Sequence, residues 1–442
     1  MPVTANHHLE LAERLVDFGR KNGADQVEVT IGENTEFSVD VREGQIEKLL
    51  EADTCGLSIK VIVDQRTATA SSSDLSQQTL HTLMQNTIKQ ATYAHQDTFA
   101  GLPDDHGETD SAEDLKIYDP QIPEMETRAK IALAKEAEKI ALSDKRVTKS
   151  HGSGVTTIHG ATTLVNSKGF SGSYKRTLIA SGVYLQAGSG DHLFDEGWSD
   201  STGTLADLWK PEQIAEKAVH RVTRLIGATK IKSQNVPVVF EPRMTAGLLG
   251  FLLSCVSGGN IYMKNSFLSD HLGKKIAGSN VTVVDNGRIP GAPGTRPFDR
   301  EGVSTRETVI IDHGELKNYL MDTYSARKLG SRSTGNASGA NNLYLQAGNT
   351  DPENVIKSVK NGLLLTGTIG FGMVPSTGDI SRGAFGIWIE NGELAFPVAE
   401  ITISGNLGHM LRNVEIIGND LTFRRSITGP TIKISEITVG GK

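Results

Sequence analysis

TAGLLGFLLSCVSGGNIYMKNSF, residues 245–267, is the most apolar stretch of the chain and predicts the centre of the fold. Leu248, Leu252 and Val256 recur at helical spacing, and other apolar residues occupy a second face. A helix that is apolar nearly all round is a buried helix, and this one is shorter than the roughly 20 residues of a membrane span. Gly258 and Gly259 are expected to end it, since glycine tolerates the left-handed conformation common at helix ends. The stretch therefore predicts a buried helix that opens into a polar loop.

Length, charge and cysteine content restrict the class of protein. The 442 residues predict two or three domains. A net charge of −7 argues against direct binding of nucleic acid, which requires a basic face. Cys55 and Cys255 lie far apart and in no metal-binding motif, so we expect free thiols in a reducing compartment. The first residues lack the pattern of a signal peptide and no segment reaches transmembrane length, so we expect a soluble, cytoplasmic protein without membrane contact.

The first hundred residues alternate between helical and strand patterns. Apolar spacing predicts a helix over residues 9–20 and a second helix from Ser76 to residue 94. Between them, alternation predicts short strands at residues 26–31, 36–42, 45–52, 56–63 and 66–71, with a hairpin turn at Glu43-Gly44. Residues 101–126 are acidic and contain three prolines, which indicates a linker.

The rest of the chain becomes richer in strand patterns. A helix is predicted over residues 123–143, paired strands at 156–159 and 162–165, a turn at 166–169, a strand at 172–185 and a helix from Pro211 to residue 226. Beyond a polar boundary at residues 227–234, strands are predicted at 236–240, 281–284, 307–312, 386–389 and 400–403, with one short helix at 325–329. His313-Gly314 and Asn391-Gly392 are hairpin turns.

These patterns predict an α+β protein. The N-terminal part is expected to be layered, with helices on mixed sheets, and the C-terminal part to be a β-rich barrel or sandwich. The predicted division is an N-terminal subdomain at 1–100, a linker at 101–126, a middle α+β subdomain at 127–229 and a C-terminal β-rich domain at 230–442 that carries the apolar helix.

Common catalytic motifs are missing from the sequence. It contains no HExxH, no G-x-S-x-G and no Walker loop. The twelve histidines are dispersed, and we expect them to be surface residues; His7 and His8 are expected at a mobile terminus.

Three polar clusters are candidates for binding. They contain Tyr262, Lys264 and Ser266; Tyr324, Arg327, Thr334 and Asn336; and Asp379 and Arg382. Glycine-rich loops with an arginine could hold a carboxylate or a peptide main chain. The alternative is that these are ordinary turns whose side chains are satisfied locally.

Several longer segments resemble one known family. They are SGGNIYMKNSF (257–267), PFDREGVSTRE (297–307), DTYSARKLGSRSTGNASG (322–339), TGDISRGAFGIWIENGEL (377–394) and, near the N-terminus, GLSIKVIVDQRTATASSSDLS (56–76). Together they resemble the TldD/PmbA family, once described as modulators of DNA gyrase. The resemblance implies a proteolytic system whose catalytic member, TldD, carries HExxxH on a buried helix. Two histidines bind zinc, the glutamate is the general base, and a cysteine near the C-terminus completes the site.

This chain departs from the zinc motif at every position. The two histidine positions hold Gly250 and Cys255, and the glutamate position holds Phe251. Residues 420–430, where the third ligand is expected, contain no cysteine. The chain therefore resembles the TldE/PmbA branch, which lacks the metal, and no catalytic residue, metal or cofactor is expected in it.

Three hypotheses follow. The favoured one is a subunit, inactive alone, that pairs with a zinc-containing TldD-like chain and binds unfolded peptides as an added strand. The second is a self-associating peptide-binding or scaffold protein that uses the same face in a homodimer. The third, an enzyme with Cys255 as nucleophile, is disfavoured because an apolar helix raises the pKa of a thiol.

Overall fold

The computed structural model describes residues 5–107, 114–190 and 192–442, so that residues 108–113 of the predicted linker lie outside the described residues. The helices are α1 (Ala5–Lys21), α2 (Gln77–Tyr93), α3 (Gln121–Glu124), α4 (Thr127–Leu142), α5 (Pro211–Thr223), α6 (Pro242–Val256), α7 (Gly258–Tyr262), α8 (Thr323–Lys328), α9 (Pro352–Lys357) and α10 (Leu407–Arg412). None of the helices in these ranges is long and apolar enough to cross a membrane.

The strands of the N-terminal half are β1 (Gln26–Arg42), β2 (Gln45–Val63), β3 (Arg66–Ser72), β4 (Val147–Asn166), β5 (Ser171–Ser189) and β6 (His192–Thr202). Those of the C-terminal half are β7 (Gln234–Phe240), β8 (Val283–Asn286), β9 (Glu307–Asp312), β10 (Glu315–Leu316), β11 (Leu343–Leu345), β12 (Asn361–Ile369), β13 (Met373–Val374), β14 (Asp379–Glu390), β15 (Glu393–Asn406), β16 (Val414–Ile417), β17 (Ile427–Thr428) and β18 (Ile432–Gly440).

The N-terminal strands are longer than predicted. The four short strands predicted between residues 26 and 63 are two continuous strands, β1 and β2, joined at the predicted Glu43-Gly44 turn. Both turn residues have positive φ, as a tight antiparallel hairpin requires. Gly32 and Gly56 face each other within the ladder and do not interrupt it.

The prediction of paired strands at residues 156–159 and 162–165 is wrong, because both segments belong to β4. Gly160 between them is not a turn residue. It pairs with Asn34 of β1, and a Cβ at this position would collide with the carbonyl oxygen of Glu33. Glycine is needed here for the close approach of two strands.

One sheet, in the order β3-β2-β1-β4-β5-β6, carries the helices of the N-terminal half. Val27, Val29 and Ile31 of β1 pack in a core with α1 and α2, while Phe37 and Val39 pack in a core with α4. Because side chains alternate along a strand, these residues share one face of the sheet. The sheet contains β1, β2 and β3 from the predicted subdomain at residues 1–100 and β4, β5 and β6 from the predicted subdomain at residues 127–229. The division into these two subdomains stays a prediction.

The C-terminal half is built around a closed barrel. Strands β12, β7, β18, β15 and β14 pair in turn, and β14 pairs back to β12. A second sheet has the order β10-β9-β8-β11-β17. The predicted fold class, α+β with a β-rich, barrel-like C-terminal part, is confirmed.

Helix α6 lies in the core between the barrel and the second sheet. Leu248, Leu252 and Val256 are buried in one cluster with residues of β7 and β18 from the barrel and of β8, β9 and β11 from the second sheet. The predicted buried helix is therefore present and ends at Val256, before the predicted glycines. The short helices α7, α9 and α10 were not predicted, because each is too short to show helical periodicity.

Candidate functional site

The positions of the family's zinc motif on α6 hold no metal-binding pair of histidines and no glutamate. Phe251 and Cys255 are buried in the C-terminal core, and Gly250 is half-buried. Burial raises the pKa of the Cys255 thiol to about 12, so it is protonated at neutral pH. In the part of the chain that the structure describes, no group of three metal-binding side chains lies at α6.

The segment expected to carry the third zinc ligand packs directly on α6. A Cβ at Gly429 would collide with the Thr245 side chain, so the segment lies against this side chain of the helix. Asp420, at the start of this segment, accepts hydrogen bonds from the Thr431 amide at 2.8 Å and hydroxyl at 2.7 Å. This segment is therefore held by contact with α6 and by its own hydrogen bonds.

The first polar cluster follows α7. Tyr262 is half-buried and packs edge-to-face on Tyr324, with ring centroids 5.8 Å apart. Lys264 is exposed and pairs with Asp270 at 2.8 Å. Ser266 is buried and donates a hydrogen bond to the Cys255 carbonyl at 2.6 Å, which ties this loop to the end of α6.

The second cluster, on and after α8, contacts the N-terminal half. The Tyr324 hydroxyl donates to Asp97 at 2.6 Å, and Arg327 donates to the Leu102 carbonyl at 2.7 Å and to Asp104 at 2.8 Å. These two predicted binding residues therefore hold α8 against residues 97–104.

Thr334 and Asn336 of the same cluster are buried. The Thr334 hydroxyl accepts from the Met321 amide at 2.7 Å, and the Asn336 side chain donates to Asp285 at 2.7 Å. Their hydrogen bonds shape the loop from inside the domain.

The third cluster lies at one end of β14 and reaches α6. Asp379 accepts a hydrogen bond from Asn406 at 3.0 Å, which with the Thr377 hydroxyl lowers its pKa. Arg382 is on the same strand and donates to the Gly370 carbonyl at 3.1 Å. Arg382 also lines an apolar groove with Met244, Gly247 and Leu248 of α6.

A hairpin tip missed by the sequence analysis borders this groove. Ile369, Phe371 and Val374 are exposed large apolar side chains, and Phe371 is fully exposed. Met373 from the same tip lines the groove. The available signal in the sequence was the pair of apolar residues, Phe371 and Met373, that alternate with Gly370 and Gly372. The structure thus brings the third cluster together with α6, while the second faces the N-terminal half.

Comparisons with known proteins agree with this architecture. Three family models match: PmbA/TldA metallopeptidase domain 1 over residues 27–92, the central domain over 120–226 and the C-terminal domain over 233–441. The metalloprotease PmbA of Escherichia coli O157:H7 is 34% identical over 436 residues, which cover 98% of this chain and 94% of that protein.

Solved structures show the same fold over almost the full length. A protein from Bacteroides thetaiotaomicron, described as a modulator of DNA gyrase, superposes with a TM-score of 0.93 at 31% identity, covering 99% of this chain and 100% of that one. TldE from Thermococcus kodakarensis has a TM-score of 0.84 at 23% identity, covering 98% and 100%, and so shares the fold. By its domains, its relatives and its fold, the chain belongs to the PmbA/TldD family of metallopeptidase-like proteins.

Proposed function

We propose that the chain is a non-catalytic subunit of a peptidase complex whose zinc site belongs to a TldD-like partner. The observation that carries the proposal is that α6 holds Gly250, Phe251 and Cys255 at the motif positions, with Phe251 and Cys255 buried in the core. A peptidase zinc site needs three protein ligands and a group that activates water. Glycine and phenylalanine supply neither, and a buried, protonated thiol alone does not bind zinc. No catalytic role is assigned to α6.

The Escherichia coli relative is named a metalloprotease, and this activity is that protein's. For this chain, the proposal is that hydrolysis depends on a second subunit with HExxxH. The partner is expected to use a similar face of a similar fold, giving a heterodimer. A homodimer of this chain that binds peptides without a TldD-like subunit is the alternative, and the same experiment separates the two.

The groove beside α6 is the proposed peptide-binding surface. Apolar side chains of α6 and the hairpin tip suit the side chains of an unfolded peptide, and Arg382 offers a charged donor for a carboxylate or a main-chain carbonyl. Strand β13 lies at the edge of its sheet, and this edge is where an extended peptide would pair as an added strand. Of the predicted residues, Asp379 and Arg382 border this surface.

We propose that the protein works in the cytoplasm and without direct contact to nucleic acid, on the basis of its net charge and its two cysteines. The chain has a net charge of −7, which supports a role without direct nucleic-acid contact. Cys55 and Cys255 are both free, which supports a reducing compartment such as the cytoplasm.

The experiment compares this chain alone, a TldD-like chain alone, and their mixture, on an unfolded fluorescent protein substrate. The expected result is cleavage by the mixture, none by this chain alone, and loss of cleavage on chelation. Mass measurement of the mixture should show one copy of each chain. A stable homodimer that ignores the TldD-like chain would instead favour the scaffold alternative.

A further inference from the structure

His8, Glu33 and Cys55 form a cluster far from α6. They come from three elements, α1, β1 and β2. The imidazole, carboxylate and thiol ligand atoms all lie within 4.8 Å of one another. The expectation that His8 is at a mobile terminus is wrong, because helix α1 begins before His8 and carries it onto the sheet. Cys55, which lies in no metal-binding motif of the sequence, has His8 and Glu33 beside it.

The strand register holds two of the three groups in place. Glu33 and Cys55 are directly opposite each other in the β1–β2 pair, so their side chains project from the same face. The next residues on that face, Ile31 and Leu57, are buried in the core with α1. The cluster therefore sits where the apolar core under α1 ends, just before the part of β1 that packs under α4.

The distances suit a tetrahedral metal ion. Zinc bonds of about 2.0–2.3 Å place neighbouring ligand atoms about 3.3–3.7 Å apart. His8 Nε2 and Glu33 Oε1 are 3.5 Å apart, which already falls in this range. The ligand atoms all lie within 4.8 Å of one another, so the Cys55 sulfur needs to approach by at most about 1 Å. His8 is only 2% exposed, whereas the Glu33 side chain is 34% exposed and leaves a path from solvent.

The chemistry of the donor set selects the kind of ion. A thiolate and an imidazole are ligands of zinc and similar transition metals, while magnesium and calcium prefer oxygen atoms only. Glu33 and a deprotonated Cys55 carry two negative charges, which balance one divalent cation. Three protein ligands leave a fourth position for water.

We propose that His8, Glu33 and Cys55 bind one zinc ion, which joins α1 to the β1–β2 hairpin. This site is independent of the family's zinc helix, since it lies in the N-terminal half and uses none of the residues on α6. The role of the bound zinc is to hold α1 on the sheet. Zinc binding is therefore measured by the metal content and the Tm of the chain, and no assay of peptide cleavage is needed.

The test is a titration of the metal-free full-length chain with Zn²⁺ and, separately, with Co²⁺. We expect one ion per chain, a sulfur-to-cobalt charge-transfer absorption, a higher Tm with Zn²⁺, and no competition from Mg²⁺. Cys55→Ser should abolish the charge-transfer absorption. His8→Ala and Glu33→Gln should weaken zinc binding by more than about 100-fold, since even the partners of ligands contribute 10–100-fold.

Matched controls are Cys255→Ala and His7→Ala, which remove the other thiol and the exposed neighbour of His8 and should leave binding unchanged. Cys55→Ser preserves side-chain volume, so it decides the question even if His8→Ala fails to fold. Absence of binding by the folded wild-type chain would show that the cluster is an ion pair only. An absorption that survives Cys55→Ser but disappears in Cys255→Ala would also overturn the proposal.

Discussion

Arg221 Nη1 lies 3.0 Å from Glu241 Oε2, so helix α5 is bound to the residue directly before α6. Arg224 donates to the other Glu241 oxygen at 2.6 Å, and Arg221 also pairs with Glu196 at 3.2 Å. Arg221 is only 4% exposed. Burial by itself raises the pKa of Glu241, but the hydrogen bonds and charges of the two arginines lower it below its usual range. This network fixes where the central helix begins.

Replacement of Arg221 by methionine should lower the free energy of unfolding by roughly 3–5 kcal/mol, because it leaves buried carboxylates without their partner. Denaturant unfolding measures the change. Arg146→Ala is the control, since this exposed arginine pairs with Asp144 at the surface and should change stability by less than about 1 kcal/mol. Equal effects of the two variants would show that the buried network does not position α6.

Glu28 should make stability depend on pH. Burial raises its pKa from 4.5 to about 7, and the nearby carboxylates Glu301 and Asp299 act in the same direction against Lys60. The native chain therefore holds a proton that the unfolded chain loses between pH 4.5 and about 7, so this group's contribution to stability falls as pH rises through that window. The stability that the wild-type chain has with Glu28 protonated is complete below pH 4.5 and is lost above about pH 7.

Glu28→Gln should remove this loss, so that the stability of the variant relative to wild type is greater at pH 8 than at pH 4.5 by about 3 kcal/mol at most. Urea unfolding at a series of pH values measures it. Glu10→Gln, at an exposed position of α1, is the matched control and should leave the pH dependence as in wild type. A variant whose curve runs parallel to wild type would refute the assignment to Glu28.

The two thiols should react in a fixed order. Cys55 is half-buried, whereas Cys255 is fully buried and burial raises its pKa to about 12. A thiol reagent at pH 8 should therefore label Cys55 in the metal-free native protein and Cys255 only after unfolding, because the thiolate is the reactive form. Mass spectrometry of the labelled peptides measures the order. Rapid native labelling of Cys255 would restore the hypothesis of a cysteine nucleophile.

Phe371→Ala and Arg382→Ala should each weaken peptide binding, or cleavage by the complete complex, by about tenfold, as expected for anchors at a binding surface. Phe371 is fully exposed, so its removal should change stability by less than about 0.5 kcal/mol. Leu394→Ala, an exposed apolar position on β15 outside the groove, is the control. Equal peptide binding by all three variants would exclude the groove as the peptide surface.

Local patterns predicted much of the fold. Alternation identified the N-terminal strands, and Glu43-Gly44 identified their hairpin, because these signals act between near neighbours in sequence. The predicted strands divided β1, β2 and β4 too often, with gaps at residues 32–35, 53–55 and 160–161 that include Gly32 and Gly160. In the structure these glycines face other strands, a long-range relationship that no local pattern shows.

The candidate sites were harder to predict for the same reason. The departure from the zinc motif could be seen on α6 itself, at Gly250 and Phe251. The contact of Tyr324 with Asp97 depends on how distant segments pack, and so does the meeting of His8 with Cys55. Residue type alone could not distinguish a binding loop from one that joins two parts of the same chain.

Peptidase activity of the purified full-length chain, measured with and without a TldD-like subunit, decides whether α6 lacks a catalytic metal site. We expect no cleavage of an unfolded substrate by this chain alone, and cleavage sensitive to a chelator once the second subunit is added. Cleavage by this chain alone that a chelator abolishes would contradict the claim that α6 carries no catalytic metal site.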